Sequence, residues 1–274
     1  MKRIESCITC CDPKMAHILK IAGKAALEAG KILRKLYGKP HKIMHKGDID
    51  LVTEADISSE NAILAMLNTS GLQADFLAEE SHFTYTEPPA GPVWIIDPLD
   101  GTTNFAHGLP WFAVSIAYLD KGRGQVGAIY SPVRDELFCG CLDRGAWLNG
   151  KPIRVSSIPV LDKSLLATGF PYDVRKSPAK VMAALEAVLM RVQGIRRAGA
   201  AALDLAYVAC GRMDGFWEVK LKPWDTAAGQ LLLEEAGGKT SDFWGNSYSP
   251  FVPEILATNS LIHKEMLSIL RDVL

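Results

Sequence analysis

Two aspartates spaced by a proline and a leucine, Asp97-Pro98-Leu99-Asp100, follow directly on the apolar run Val93-Trp94-Ile95-Ile96. The run reads as a buried strand ended by Pro98, and Gly101-Thr102-Thr103 reads as the start of a helix. Two acids confined by a stiff turn repel one another, so a positive charge is expected between them. Carboxylates at a strand end can hold hard divalent cations, while free N–H groups at the next helix start can bind an anion. A phosphate ester bridging such cations would satisfy both. Helix capping is the ordinary alternative use of an Asp, but one cap explains one acid and leaves the other.

Other acids are candidates to join this pair. In LAEESHF, Glu79 and Glu80 end an apolar run, and strand alternation allows only one of them to face a common site. Asp56 lies in VTEAD beside a basic loop, and Asp225 follows Trp224 in KPWDTAAG at an N-cap position before an apolar helix. Taken singly, these are a solvated pair, a surface acid and a cap.

Taken in order they resemble a known family. WIIDPLDGTTNF and PWDTAAGQLLLEEAGG look like the two signature motifs of the inositol monophosphatase family of metal-dependent phosphatases. DLVTEAD, AEES and RRAGAAALDLAYVACGRMDGFWE resemble its intervening motifs in order and spacing, and the likeness covers about residues 14 to 272.

That resemblance implies a layered αβαβα sandwich in the α/β (α+β) class, assembled as a homodimer, that hydrolyses inositol monophosphate to inositol and phosphate. It implies two tightly placed Mg2+ ions, one held by Glu79, Asp97 and the Leu99 carbonyl and the other by Asp97, Asp100 and Asp225. A third, weaker ion would lean on Glu79 through water, near Lys46 of a closing loop. Thr102, Asp56 and Glu79 would be catalytic, with Thr102 bonded to Asp56 and positioning the attacking water. Asp100, Gly101, Thr102, Ala200, Glu218 and Asp225 would bind substrate. Ala200 departs from the pattern, which commonly has Ser or Thr there, and the lost hydroxyl is expected to broaden substrate acceptance. Asp204, one helical turn later, would compensate or pair with Arg196 or Arg197. His41, His45 and His107 lie near the motifs but are not assigned, since magnesium prefers oxygen.

The elements that must position these residues are legible in outline. PKMAHILKIAGKAALEAGKILRKLY reads as an amphipathic helix over residues 13–37 stopped by Gly38 and Pro40, and a second helix runs from Glu54 to about Asn68. GKPHKIMHKGDID reads as a basic flexible loop. ADFLAE, VWIID, FAVSIAYL, QVGAIY and ELFCGCL form a sheet, after which helices (178–192, 200–210, 225–235) alternate with strand-like DGFWEV, KTSD and ILATN before a last helix from Leu261. Helices packed on sheets are the expected architecture. One phosphatase domain over 14–274 is expected, with a soft boundary near 156–163 and a loose extension over 1–13.

The bulk composition narrows the function classes. With 48% hydrophobic and 22% charged residues the 274-residue chain is an ordinary globule, and its net charge of -1 gives no broad field toward nucleic acid or an anionic membrane. No segment approaches a membrane span or a signal peptide, so a cytoplasmic protein is expected. Cys7, Cys10 and Cys11 lack a second ligand pair at zinc spacing and read as reduced thiols. G-x-x-x-x-G-K-[ST] does not occur, and the G-x-G-x-x-G of Gly122–Gly127 falls in the DKGRG turn between two strand-like runs rather than at the start of a helix, which disfavours a nucleotide-binding enzyme. The rivals are a sugar phosphatase that also takes fructose 1,6-bisphosphate and a non-catalytic scaffold for a protein or RNA partner.

Overall fold

Asp12 and Pro13 start the helix that carries most of the outer layer. The Asp12 carboxylate accepts the N–H groups of Lys14 and Met15 at 3.0 and 3.1 Å, and Pro13 occupies the first turn, where its missing N–H costs nothing. The computed structural model describes residues 2–9, 11–39, 43–45, 51–81 and 87–273. Helix α2 (Pro13–Leu36) buries Ile18, Leu19, Ala22, Ala25, Ala26, Ala29 and Leu33, a stripe at helical spacing whose many small residues let it lie close to the sheet below. In place of the loose extension expected before it, residues 2–8 form a short helix, α1 (Lys2–Ile8). Ile4 and Cys7 are buried, and Arg3 pairs with Asp135 at 2.5 Å. An apolar Ile-x-x-Cys step on one helical face supplies the burial that docks it.

The basic loop is partly structured, since β1 (Ile43–His45) pairs antiparallel with β2 (Leu51–Thr53). Lys46 and His41, singled out from the sequence, lie outside the described residues. Next come α3 (Glu54–Asn68) and a seven-stranded sheet built in chain order from β3 (Asp75–Ala78), β4 (Val93–Asp100), β5 (Ala113–Asp120), β6 (Arg123–Ser131), β7 (Glu136–Cys141), β8 (Gly145–Leu148) and β9 (Lys151–Pro152). Strands β3 and β4 are parallel and the remaining neighbours antiparallel. The short helix α4 (Thr102–Ala106) leaves the end of β4.

The second sheet has five strands in the order β11 (Gly194–Arg196), β10 (Leu165–Thr168), β12 (Gly215–Val219), β14 (Glu254–Thr258) and β13 (Lys239–Ser241). Helices α6 (Ala201–Ala209) and α7 (Pro223–Glu235) fill the space between the sheets, sharing one core with Val93, Ile95 and Phe138 of the first sheet and Ala167, Phe216 and Ile255 of the second. Strand alternation sends Trp94 and Ile96 to the opposite face, where they join α2 and α3. Helices α5 (Ala179–Leu189) and α8 (His263–Arg271) cover the outer face of the second sheet through Ala184, Val188, Met266 and Leu270. The layers therefore run α, β, α, β, α, the sandwich expected from the sequence.

Between the sheets, residues 156–158 are fastened down. The Ser156 hydroxyl bonds the Asp214 carboxylate, and the Asn259 amide donates to Ser156 Oγ at 2.9 Å and to the Ile158 carbonyl at 2.8 Å.

A buried histidine closes the C-terminal side. His263 is 2% exposed, with Nδ1 3.0 Å from Thr258 Oγ1 and Nε2 3.0 Å from Ser241 Oγ. Burial, helped by the positive charge of Lys239, lowers its pKa from 6.5 to about 4. The unfolded chain therefore takes up this proton before the folded one does, so stability is full above pH 6.5 and falls as the pH drops toward 4. Urea unfolding of the wild type is expected to lose about 3 kcal/mol more across that window than unfolding of His263→Gln, because a tenfold difference in proton affinity between the folded and unfolded chain is worth about 1.4 kcal/mol.

Candidate active site

The end of β4 departs from the sequence expectation in an informative way. Pro98 does not end the strand; β4 continues to Asp100, and the pairing with β5 slips between Asp97, opposite Ser115, and Asp100, opposite Ala113. Three steps on β4 thus match two on β5. In a regular strand residues three apart point to opposite faces, whereas the extra residue returns Asp97 and Asp100 to the same face. That face is the one packed on α6 and α7, since Ser115 Oγ donates to the Trp224 carbonyl at 3.3 Å and Asp100 Oδ2 accepts the Ala202 N–H at 2.8 Å. Pro98 tolerates the position because a bulge spares it a ladder N–H.

Helix α3 sets the other side. The Asp56 Oδ2 atom accepts both the N–H and the hydroxyl of Thr53 at 2.7 Å, forming a capping box, so Asp56 is fully buried rather than a surface acid. Its other oxygen, Oδ1, accepts the Thr102 hydroxyl at 2.9 Å, and Thr102 Oγ1 also stands 3.0 Å from the Leu99 carbonyl. One turn on, Ser59 donates to the Pro98 carbonyl at 2.7 Å and Glu60 accepts the Glu80 N–H at 2.9 Å. Helix α3 thereby grips both strand ends that carry the acids. Asp225 is the third residue of α7, not its N-cap, and its carboxylate takes the Lys222 N–H at 2.6 Å.

The acids feel one another. Asp97 is pushed well above the usual carboxylate range by burial first, then by the negative charges of Glu79, Asp100 and Asp225. Asp100 rises to about 7 by burial and by Asp225, against the amides of Ala202, Ala201 and Leu203 that favour its charge. Glu218 rises to about 8 by burial, Asp225 and Asp100, with Arg197 opposing. Asp204 is raised well above its ordinary value by burial, Asp100 and Glu218, and its Oδ1 has no hydrogen-bond partner. The positive charge of Arg197 acts on Asp204 in the opposite direction. Asp56 is raised by burial, with Thr53 and Thr102 opposing. These are oxygen donors that suit a hard divalent cation, whose charge would reverse the mutual destabilisation. Among the described residues no group of three or more His, Cys, Asp and Glu side chains closes on a single point, so the acids alone do not make a complete cage.

The remaining candidates are placed around this cluster. Gly101 adopts φ 93, and a Cβ there would stand 2.9 Å from the Trp111 carbonyl, so the turn into α4 requires glycine. Ala200 is the buried N-cap of α6 and offers no side-chain cap; the Asp100 carboxylate bonds the first amides of that helix instead. Glu218, on β12, lies against Gly169, where a Cβ would fall 2.0 Å from its Oε2. His107 caps α4 through its backbone and is exposed.

Two positions were missed from the sequence. Gly169 carries no motif, so only the fold reveals it. Asn104 stands inside the quoted WIIDPLDGTTNF, and its amide donates to the carbonyls of Trp111, Ala198 and Gly199 at 2.8, 2.9 and 3.2 Å. It ties the segment before α6 to the end of α4.

Comparison with known proteins places the chain in a class. The sequence profile of the Inositol monophosphatase family matches residues 14–274, and the chain belongs to that family. Two relatives give the range of names within it. The chain is 43% identical over 263 residues to Nus factor SuhB of Escherichia coli (strain K12), covering 95% of this chain and 98% of that one. It is 45% identical over 250 residues to Inositol-1-monophosphatase of Synechocystis sp., covering 90% and 86%. Among solved structures, the extragenic suppressor protein suhB of Bartonella henselae superposes with a TM-score of 0.87 at 39% identity over 94% of this chain and 99% of that one. The inositol monophosphatase of Anabaena (Nostoc) sp. PCC 7120 superposes with 0.83 at 43% identity over 94% and 96%. Among the described residues no helix is long and apolar enough to cross a membrane.

Because Asn104 serves three carbonyls, Asn104→Ala is expected to destabilise the fold by about 2 kcal/mol in urea unfolding, the range for leaving buried acceptors unpaired. Far-ultraviolet circular dichroism should be unchanged, since the helices themselves keep their bonds.

Proposed function

We propose that this chain is a magnesium-dependent phosphomonoesterase acting on small polyol phosphates, with inositol monophosphate as the favoured substrate. The observation that carries the reading is the set of acids on β4 and neighbouring elements, mutually coupled and adjoining the Thr102–Asp56 hydrogen bond. Glu79, Asp97 and the Leu99 carbonyl would hold one ion, and Asp97, Asp100 and Asp225 a second, with water completing shells that magnesium rarely fills from protein alone. Bound there, the metal supplies charge neutralisation for phosphate and makes a water more acidic.

The chain's own residues do the positioning. The Thr102 proton has two acceptors within reach, and the Asp56 carboxylate is the stronger because its bond is charge-assisted. With that proton committed, the Thr102 oxygen turns lone pairs outward and can accept an O–H from the attacking water. Glu218, hemmed in against Gly169, is suited to accept polyol hydroxyls at the far side of the pocket. Ala200 is turned into the core beside Gly101, which supports a pocket with fewer polar contacts to substrate.

Phosphate release from a panel of inositol, sugar and nucleotide phosphates, with and without magnesium, tests the reading. Release should require magnesium and be fastest with inositol monophosphate. Asp97→Asn should lower kcat by about 10³-fold, the scale of losing several kcal/mol of charge stabilisation. Thr102→Ala should lower kcat by about 10²-fold with little change in KM. No magnesium-dependent release from any ester would overturn the proposal, and fructose 1,6-bisphosphate with the higher kcat/KM would change its substrate.

A second reading, a scaffold for a protein or RNA partner, draws support from the Nus factor name of the Escherichia coli relative. Complementation separates the two: cellular function surviving in folded Asp97→Asn favours the scaffold, and its loss favours catalysis.

A further inference from the structure

On the side of the first sheet away from the acids, α1 brings cysteines against cysteines. In β7, Leu137, Cys139 and Cys141 alternate onto the face shared with α1 and α2, while Phe138 faces the other core. Cys139 is fully buried between Ala128 of β6 and Trp147 of β8. Cys7 is 1% exposed, donates its thiol to the Arg3 carbonyl at 3.1 Å, and makes a sulfur-to-sulfur hydrogen bond with Cys139. Half-buried Cys11 donates to the Cys7 carbonyl at 3.6 Å. Helix α1 is pressed close at this point, since a Cβ at Gly150 would stand 3.0 Å from the Arg3 carbonyl. Among the described residues no three metal-ligating side chains converge, so the cluster is not built as a soft-metal cage.

We propose that Cys7 and Cys139 are an oxidation site, forming a reversible disulfide with peroxides as oxidant and so fastening α1 to the middle of β7. The two sulfurs already face each other across the only contact that a disulfide would need to span. Cys7 is the nucleophile of the pair: hydrogen bonds from Cys139 and from the Gly150 N–H hold its thiol below the ordinary range. A helix of seven residues does not persist undocked, so brief lifting of α1 exposes Cys7 without unfolding the sheet.

The chemistry balances with one peroxide per disulfide. The Cys7 thiolate attacks a peroxide oxygen, the O–O bond breaks, and the departing hydroxide takes a proton to become water, leaving a sulfenic acid. The Cys139 thiol then attacks that sulfur and passes its proton to the leaving hydroxyl, so that the S–S bond forms, the S–O bond breaks, and a second water leaves. Two thiols are oxidised by two electrons and hydrogen peroxide is reduced to two waters.

The test treats the native full chain with hydrogen peroxide, blocks remaining thiols with N-ethylmaleimide, digests without reduction and reads the peptides by mass spectrometry. A Cys7–Cys139 peptide pair, two hydrogens lighter than its separate halves and released by dithiothreitol, is expected. It should persist in Cys11→Ser, and oxidation should raise the wild-type Tm by about 5 °C, as closing a long loop does. Cys7 and Cys139 both carrying maleimide after peroxide overturns the proposal, as does Cys7 linked only to Cys11 or Cys141, or a Cys7–Cys139 link that appears only after denaturation. The wild-type peptide map decides the matter even where Cys7→Ser or Cys139→Ser folds poorly.

Discussion

Several buried or half-buried carboxylates stand close enough to repel one another, and the rest of this structure is arranged to keep them there. Nothing in apolar packing favours such a cluster: burial alone disfavours each charge, and every neighbour of the same sign adds to the cost. The fold meets the cost locally with backbone amides. Asp56 is held by Thr53, Asp97 by the Leu99 N–H at 2.9 Å, Asp100 by the first turn of α6, and Asp225 by the Lys222 N–H. Each of these four acids therefore owes its place to a helix start or a tight turn, and the elements that supply these amides come from both halves of the chain.

This explains why the middle helical layer is indispensable to the site. Ala200 gives α6 no cap of its own, so the helix borrows a carboxylate from the opposite sheet. Asn104 then binds the approach to α6 from the other direction. The two sheets meet across a common core of α6 and α7, and Asp100 at the end of β4 is bonded to the start of α6 beside that core.

Much of this was legible in the sequence because it rests on local rules. The helix begun at Pro13, the helix begun at Glu54 and the buried strand Val93–Ile96 follow from residue pattern alone, whereas Asp56 reads as a surface acid until its bonds to Thr53 are seen. The layered fold and the grouping of Asp56 with Thr102 came through the likeness of ordered motifs to a family. What stayed hidden depends on tertiary contact. Pro98 reads as a strand breaker until a bulge gives it a place without a ladder bond. Gly169 is unremarked until Glu218 is found lying on it. Residues 1–13 look expendable because burial of Ile4 and Cys7 depends on a β7 surface more than a hundred positions away.

The single added residue between Asp97 and Asp100 sets a rule about length. Across it, which face a side chain meets follows from parity, so shortening or lengthening this stretch by one would turn Asp100 away from α6 and leave that helix uncapped. Substitutions here alter the chemistry of one position, whereas insertions and deletions would scramble the wiring of the whole centre. Variation among relatives should accordingly tolerate new letters in this segment far more readily than a new count.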